Sequence, residues 1–305
     1  MGLCMLGPMS EQTYEPVPLQ FERLPEDEMI ARGRDFRELM ARRRSVRECA
    51  QYPVPREFIE TAIAAANTAP SGATRQPWHF AVVSDPTVKA VLRRGAEAEE
   101  REFYEGGRAT EEWLKALAPL GTEWRKPFLE VAPWLVVVFK QIHAVGEDGA
   151  KLTNYYVNES VGIACGLFIA AIQQMGLATL THTPQPMRFL SRILDRPANE
   201  RPFILFPVGY PHPDCEVPEI TKKRPSAVAT WFESPGARSS FVLDKAPDER
   251  RYDADDQRSE DRPPVTRNHE PGDDLRGQKE RESVHQQIKK SEGEDGDGQR
   301  QDGQD

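Results

Sequence analysis

One segment constrains the fold more than any other: residues 133–139 read Pro-Trp-Leu-Val-Val-Val-Phe and are apolar throughout. A strand with one exposed face alternates apolar and polar residues, whereas a strand covered on both faces is apolar along its whole length. The segment therefore predicts an interior strand of a sheet with helices on both of its faces. A helix at residues 155–175, whose second half is apolar all round, is expected to be central and buried.

The rest of the pattern predicts three further strands, at residues 79–83, 177–181 and 202–208, interspersed with amphipathic helices. This order favours an α+β (mixed α/β) fold, with about four sheet strands and long helices packed on them. With 305 residues, of which 38% are hydrophobic, the chain can bury an ordinary core.

Composition divides the chain into three parts. We expect residues 1–22 to be a flexible N-terminal segment, residues 23–233 to fold as one domain, and residues 234–305 to be a disordered, charged tail. The tail has a few scattered aliphatic residues and only Phe241 and Tyr252 as aromatics. Because this apolar surface is too small to offset the entropy of ordering, a solvated polyampholyte is the simplest interpretation of the tail.

Charge and cysteine usage limit the classes of function. The formal net charge of -9 argues against a nucleic-acid binder. The cysteines lack the spacing of a zinc site or a disulfide framework, so we expect no metal and a reducing compartment. The longest apolar stretch, residues 161–172, is too short to span a bilayer. These observations predict a cytoplasmic protein that binds neither nucleic acid nor membrane.

A cluster of basic residues follows the first predicted helix, where residues 42–47 read Arg-Arg-Arg-Ser-Val-Arg. Arginine binds phosphate through paired N–H groups, and a serine hydroxyl can add a hydrogen bond. Candidates for a phosphate site are therefore Arg43, Arg44, Ser45 and Arg47. From composition alone, the end of a helix with solvated basic residues explains the cluster equally well.

Three features together resemble the FMN-dependent nitroreductase superfamily. They are the Arg-Arg-Ser-x-Arg segment, an Ala-Pro-Ser-Gly loop that ends in Gln-Pro-Trp at residues 69–78, and Gly-Tyr-Pro at residues 209–211. The resemblance covers residues 24–232. It implies a nitroreductase-like fold, with a central, mostly antiparallel sheet, helices on both faces and an intertwined homodimer.

The resemblance also implies FMN as the cofactor, and it assigns contacts to both subunits. The four residues of the basic cluster would grip the phosphate and ribityl groups in one chain. Three loop residues would lie against the isoalloxazine from the partner subunit, namely Pro70, Ser71 and Gly72. Electrons would come from NAD(P)H, either directly or through a separate reductase.

Within the superfamily, the chain most resembles the iodotyrosine deiodinase branch. The resemblance is carried by Glu-Glu-Arg-Glu-Phe-Tyr at residues 99–104, Thr-Glu-Trp-Arg-Lys at 122–126 and Thr-Leu-Thr-His-Thr-Pro at 179–184. In that branch a Glu, a Tyr and a Lys form a lid over a halotyrosine stacked on the flavin. They match Glu100, Tyr104 and Lys126 of this chain.

The chemistry of these three residues agrees with that role. Glu100 and Tyr104 are four residues apart and share a helix face. A carboxylate can pair with an α-ammonium group, a lysine with an α-carboxylate, and a phenol can cover an aromatic ring. Spacing alone also fits an ordinary exposed acidic helix.

The resemblance implies further cofactor contacts later in the chain. The segment Thr181, His182 and Thr183 would pass the flavin, and Thr183 would act in catalysis by offering its hydroxyl to N5, which favours one-electron steps. The His182 side chain is expected to be neutral and locally satisfied by hydrogen bonds, rather than a catalytic acid. Near the end of the fold a basic residue would reach the FMN phosphate. Arg224 is our prediction, with Lys222 and Lys223 as alternatives.

The sequence thus predicts an FMN-dependent enzyme that reductively dehalogenates 3-halotyrosines as a homodimer. The alternative of the same class is an NAD(P)H-dependent nitro or quinone reductase of broad aromatic specificity. A third hypothesis is a flavin-cleaving enzyme that makes a cobalamin precursor. A hypothesis outside the enzymes is a flavin-dependent sensor that binds an amino acid without turnover.

Overall fold

The computed structural model describes residues 14–232. They fall into a compact unit that ends at Pro218 and a second unit that begins at Glu219. Residues 14–22 of the predicted flexible segment are described; they form neither helix nor strand, and all of them are exposed. The rest of that segment and the predicted tail at residues 234–305 lie outside the described residues, so the predicted domain boundaries stay predictions.

The described part of the first unit contains thirteen α-helices and β-strands. In chain order they are α1 (Glu26–Ala41), α2 (Arg56–Asn67), β1 (Trp78–Val83), α3 (Pro86–Tyr104), α4 (Glu111–Leu117), α5 (Phe128–Val131), β2 (Trp134–Gln141), β3 (His143–Val145), β4 (Lys151–Thr153), α6 (Val157–Gln174), β5 (Ala178–Thr179), α7 (Arg188–Ile193) and β6 (Glu200–Gly209).

The main sheet has four strands in the order β1-β2-β6-β5, and each neighbouring pair is antiparallel. The predicted mixed α and β fold with a mostly antiparallel sheet is therefore confirmed. The interior position of β2, between β1 and β6, agrees with its apolar sequence. A separate hairpin formed by β3 and β4 was not predicted, because residues 143–153 have no alternation long enough to indicate strands.

Alternate residues of β2 enter two hydrophobic cores, one on each face of the sheet. Val136 and Val138 pack with α2 and α6, where Phe168 is fully buried. Leu135 and Val137 face the opposite core, which α3, α5 and α7 complete. The predicted cover of helices on both faces is thus confirmed, and it explains why the strand is apolar throughout.

Helix α6 is buried on one face only, although its apolar sequence predicts a fully buried helix. Val161 and Phe168 lie in the core, whereas Ile163 is 46% exposed and Leu167 is 36% exposed. The exposed side also carries Gly162 and Gly166. Sequence periodicity cannot say whether such a face is covered by the same chain or by another one. Among the described residues, no helix combines the length and apolar character that crossing a bilayer requires.

Helix α3 brings part of the site into place. It begins after Asp85, whose carboxylate accepts a 2.8 Å hydrogen bond from the Val88 amide, and Pro86 occupies its first turn. Both features favour a helix start, since the first turn leaves N–H groups unpaired. The helix packs against α5 and α7 through Leu92 and Ala96, and it ends at Tyr104.

Candidate active site

A cavity of about 170 Å³ lies beside β5 and the C-terminal half of α6. Its lining combines guanidinium, hydroxyl and aliphatic side chains, from Arg43, Ser45, Thr179, Thr181, Ile169 and Leu180. Cationic and hydroxyl groups can bind a phosphate and a polyol, and aliphatic side chains can contact an apolar ring. This donor set fits the predicted FMN, and the structure brings three of its predicted contacts, Arg43, Ser45 and Thr181, to one cavity.

The edge of the sheet fixes one wall of this cavity. Ser45 pairs with Thr179 in a parallel bridge, and the Val46 amide donates a 3.4 Å hydrogen bond to the Thr179 carbonyl oxygen. The chain after α1 therefore continues the sheet beyond β5. The sheet, rather than the preceding helix, sets the backbone position of Ser45.

The three residues predicted to bind substrate meet in the structure. Glu100 and Tyr104 lie at the C-terminal end of α3, and Lys126 lies just before α5. The Lys126 Nζ is 3.3 Å from the Glu100 Oε2, and the two side chains are only 7% and 14% exposed. The same ammonium group lies 5.5 Å from the centre of the Tyr104 ring. We call Glu100, Tyr104 and Lys126 the clamp.

Neighbouring groups hold the clamp in this arrangement. The Tyr104 hydroxyl lies 2.6 Å from the Thr122 Oγ1. The Lys126 backbone amide donates a 2.7 Å hydrogen bond to the Glu97 Oε1, and the Lys126 ammonium donates to the Glu123 carbonyl oxygen. Two turns of α3, those of Glu97 and Tyr104, are therefore hydrogen-bonded to the segment before α5.

Burial dominates the electrostatics of the clamp. It raises the pKa of Glu100, and the nearby ammonium of Lys126 opposes that shift. It lowers the pKa of Lys126, which Glu100 opposes in turn. It also raises the pKa of Tyr104, so the phenol stays protonated at neutral pH. The ion pair is thus held in a poorly hydrated place, where a new charged partner interacts more strongly than in water.

The two remaining arginines of the basic cluster make other contacts. Arg44 donates from Nη2 to the Pro218 carbonyl oxygen. Arg47 is half-buried, and burial lowers its pKa while the Tyr104 phenol opposes that shift. Burial is the main cause of the lowered pKa of Lys126, and the charge of Arg47 adds to it. Arg47 therefore lies near the clamp, and the FMN contacts of both arginines stay predictions.

The segment after β5 alternates between exposed and buried side chains. Thr181 and Thr183 are exposed, whereas the His182 side chain is buried. The His182 ring packs edge-on against Phe128, with the ring centres 5.6 Å apart, and its Nδ1 lies 4.0 Å from the Glu100 Oε1. Thr181 and Thr183 thus lie on the exposed side of the segment, and the His182 ring lies on the buried side near Glu100. Among the described residues the His182 Nε2 has no hydrogen-bond partner, so the expectation that this side chain is locally satisfied is wrong.

The loop predicted to contact the isoalloxazine, residues 70–72, lies away from the cavity of its own chain. It packs at the N-terminal end of α6, where the Gly72 amide is 3.4 Å from the Ser160 hydroxyl. A Cβ at Gly72 would lie 2.7 Å from the Tyr155 carbonyl oxygen, so this approach requires glycine. Ser160 and the cavity residue Ile169 are about 14 Å apart along the helix axis, at 1.5 Å per residue.

Arg224 belongs to the second unit, where it is exposed and precedes a short 3₁₀ turn at Pro225–Ala227. Its predicted contact with the FMN phosphate, like that of its alternatives Lys222 and Lys223, stays a prediction.

Sequence reasoning missed the groups that support the clamp, above all Thr122 and Glu97. Thr122 stands in the motif that carries the resemblance, yet its partner Tyr104 lies before an intervening helix, α4. No periodicity relates two residues across such a connection. The one available signal was the general rule that the hydroxyl of a half-buried tyrosine has a hydrogen-bond partner.

The chain belongs to the nitroreductase family, because residues 40–210 match the model of that family. Its relatives include proteins named iodotyrosine deiodinase. The protein of that name from Haliscomenobacter hydrossis is 51% identical over 216 residues, which cover 71% of this chain and 97% of the relative. Iodotyrosine deiodinase 1 of Homo sapiens is 43% identical over 215 residues, covering 70% of this chain and 74% of the relative.

A solved structure extends the comparison to three dimensions. Oxidized iodotyrosine deiodinase bound to FMN and 3-iodo-L-tyrosine superposes with a TM-score of 0.55 at 30% identity, covering 65% of this chain and 99% of that chain. A BluB-like flavoprotein from Clostridium difficile 630 has a TM-score of 0.50 at 20% identity, which shows a common fold. The predicted resemblance to the nitroreductase superfamily and its iodotyrosine deiodinase branch is therefore confirmed.

Proposed function

We propose that this protein is an FMN-dependent oxidoreductase that removes the halogen of 3-halotyrosines. The observation that carries the proposal is the convergence of Glu100, Tyr104 and Lys126 into one clamp beside the segment that holds Thr181 and Thr183. Relatives named iodotyrosine deiodinase, 42–51% identical to this chain, support it. The reaction replaces the carbon–halogen bond by a carbon–hydrogen bond, consumes two electrons and one proton, and releases halide.

The cavity beside β5 would hold the cofactor. Arg43 and Ser45 line it with a cation and a hydroxyl, which suit a phosphate and a polyol. We assign further contacts to Arg44, Arg47 and the segment Thr181 to Thr183, with Arg224 from the end of the fold. When bound, FMN supplies the electrons, because none of these side chains carries redox chemistry.

The clamp would bind the amino-acid part of the substrate. Glu100 would pair with the ammonium group and Lys126 with the carboxylate, while the Tyr104 ring covers the phenol of the substrate. Because both charged groups are mostly buried, each new ion pair would form with little water around it. The clamp orients the halogen-bearing ring and excludes water. As the catalytic residue, Thr183 would donate a hydrogen bond from its exposed hydroxyl to the cofactor ring.

We infer a homodimer from two features of the single chain. The exposed face of α6 presents Ile163 and Leu167 to solvent, and α1 adds Met29, Ile30 and Phe36, each at least half exposed. Apolar surface of this extent on two neighbouring helices is typical of a surface that another chain covers. The loop at residues 70–72 lies at the far end of α6, so it could contact FMN only from a partner subunit.

We further propose that the protein works in the cytoplasm and takes electrons from NAD(P)H, directly or through a separate reductase. The described cysteines support the first point: Cys49, Cys165 and Cys215 are all free thiols. Fractionation of source cells tests the location. Stopped-flow mixing of the oxidised protein with NADH or NADPH tests direct reduction, and a rate indistinguishable from that of free FMN would point to a separate reductase.

An anaerobic experiment tests the dehalogenase proposal. The FMN-loaded protein is reduced chemically and mixed with 3-iodotyrosine or with tyrosine, while the flavin spectrum and released iodide are followed. Reoxidation with an equivalent of iodide, for 3-iodotyrosine alone, is expected. A reduced protein that ignores 3-iodotyrosine but passes electrons to a nitroaromatic or a quinone would overturn the proposal in favour of a general reductase.

A further inference from the structure

Glu97 is a mostly buried carboxylate whose position the proposed roles leave unexplained. It lies on α3, one helical turn before Glu100, and its side chain is 18% exposed. Its Oε1 accepts two hydrogen bonds of 2.7 Å, one from the Arg93 Nε and one from the Lys126 backbone amide. A carboxylate withdrawn from water in this way is held by its partners, and one partner here is the backbone of a clamp residue.

The bond to Glu97 fixes the base of the Lys126 side chain. Lysine is long and flexible, so its ammonium group reaches one place reproducibly only when the backbone is held. The ammonium group itself donates to the Glu123 carbonyl oxygen and lies 3.3 Å from the Glu100 Oε2. The contact with Glu97 acts on the backbone instead, and it therefore persists when the ammonium group exchanges one partner for another.

Arg93 fixes the orientation of the Glu97 carboxylate. Its Nε donates to the Glu97 Oε1, and its Nη1 lies 3.4 Å from the Glu130 Oε2 of α5. The guanidinium group thus bridges one carboxylate on α3 and one on the short helix that follows Lys126. Glu97 cannot turn toward solvent without breaking its bond to Arg93 as well as its bond to the Lys126 amide.

The same face of α3 also supports the other end of α5. Lys89 is buried, and its ammonium group donates to two backbone carbonyl oxygens at the end of α5, each at 3.0 Å. Lys89, Arg93 and Glu97 recur every four residues, which places them on one face of the helix. This face therefore holds α5 and the backbone of Lys126 through three successive turns.

We propose that Glu97 is a positioning residue for recognition of the substrate carboxylate, which acts by holding the Lys126 backbone while Arg93 orients its own carboxylate. This inference rests on the proposed function. Glu97 supports the lysine of the clamp, whereas Thr122 supports the tyrosine. A ligand without a carboxylate gains nothing from the position of Lys126, so the effect of Glu97 should depend on the carboxylate of the ligand.

Two variants of the FMN-loaded, oxidised protein test this dependence. Glu97→Ala removes the acceptor. Glu97→Gln keeps it, because both hydrogen bonds end on one oxygen and a glutamine has one carbonyl oxygen. The ligands are 3-iodotyrosine and 3-iodotyramine, which has the same ring and ammonium group but no carboxylate. Quenching of flavin fluorescence gives each Kd.

The matched control is Glu60→Ala on α2. Glu60 pairs with Arg56 at 2.6 Å with the same four-residue spacing as Glu97 with Arg93, but both side chains of this pair are exposed. The control should bind both ligands as the wild-type protein does.

Glu97→Ala should bind 3-iodotyrosine about tenfold more weakly, as expected for loss of a hydrogen bond to a charged group, and 3-iodotyramine within about twofold of wild type. Glu97→Gln should bind 3-iodotyrosine within about threefold of wild type, because a neutral acceptor remains. Equal losses for both ligands, or no recovery with glutamine, would overturn the inference.

Hydrogen exchange tests the contact without any ligand. The Lys126 amide of the wild-type protein should exchange slowly, and in Glu97→Ala about tenfold or more faster, with FMN still bound. A wild-type Lys126 amide that exchanges as fast as in an unstructured chain would overturn the inference while leaving the dehalogenase proposal intact. A wild-type protein that neither binds nor dehalogenates 3-iodotyrosine would overturn both.

Discussion

The Tyr104 hydroxyl lies 2.6 Å from the Thr122 Oγ1, which ties the end of α3 to the segment that carries Lys126. This bond joins two parts of the clamp that are far apart in sequence. It makes the geometry of the clamp depend on a residue that has no charge and need not touch the substrate.

Thr122→Val removes this bond while nearly keeping the volume of the side chain. We expect the Kd of 3-iodotyrosine to rise about 2- to 12-fold, the equivalent of one neutral hydrogen bond. Tyr104→Phe removes the same bond from its other end, so the double variant should cost less than the sum of the single ones. Additive losses in the double-mutant cycle would show that the two hydroxyls act independently.

Glu100→Gln replaces the clamp carboxylate by a neutral group of similar shape. The Kd of 3-iodotyrosine should rise about 10- to 150-fold, because a hydrogen bond to a charged group is lost. Turnover of a small nitroaromatic should stay within a factor of about two, since that substrate offers no ammonium group. Glu102→Gln, on the exposed side of α3, is the matched control. Equal losses for both substrates would contradict the clamp.

Gly72→Ala tests the close approach of the loop to α6. The new Cβ would lie 2.7 Å from the Tyr155 carbonyl oxygen, so backbone has to move. We expect the free energy of unfolding to fall by about 1–3 kcal/mol. Gly33→Ala, at an open position of α1, should instead raise it by about 1 kcal/mol. Urea unfolding of the FMN-loaded protein measures both changes.

Leu167→Glu places a charge on the exposed face of α6. If that face is the dimer interface, light scattering after size exclusion should show a monomer, with loss of bound FMN because the partner's loop is gone. The control variant Val145→Glu changes a residue of β3 that is 42% exposed, and it should remain dimeric and keep its bound FMN. A dimeric Leu167→Glu protein would place the interface elsewhere.

Acid should destabilise the fold through His182. Its pKa is about 3 when folded and 6.5 in the reference state, so the unfolded chain binds more protons between these values. The contribution is fully present above pH 6.5 and is lost as the pH falls toward 3. From pH 7 to 5 the loss should be about 2 kcal/mol. His182→Asn should show a correspondingly smaller fall in urea unfolding, and an unchanged fall would contradict the burial of a neutral imidazole.

Much of the fold could be predicted because it is encoded locally. The apolar run of β2 and the helical spacing of α3 are properties of contiguous residues, and so is the shared face of Glu100 and Tyr104. The structure adds what contiguous residues cannot encode. The approach of Thr122 to Tyr104 and of His182 to Glu100 results from a connection through α4 and from strand pairing with Leu205.

The partial exposure of α6 has the same origin. Its sequence is apolar around the helix, which predicts burial without saying by what. The single chain covers the face that contains Phe168 and leaves Ile163 and Leu167 open. An apolar pattern does not distinguish a face that the same chain covers from a face that a partner would cover in the proposed homodimer.

The bridge between Ser45 and Thr179 has one more consequence, for solubility. Strand β5 is only two residues long and ends the sheet, and open strand edges pair readily with other chains. Because residues 45–46 pair with Thr179, the segment that begins the predicted cofactor site also covers this edge. The segment predicted to contact the cofactor therefore also pairs with backbone groups of Thr179 that would otherwise be open to another chain.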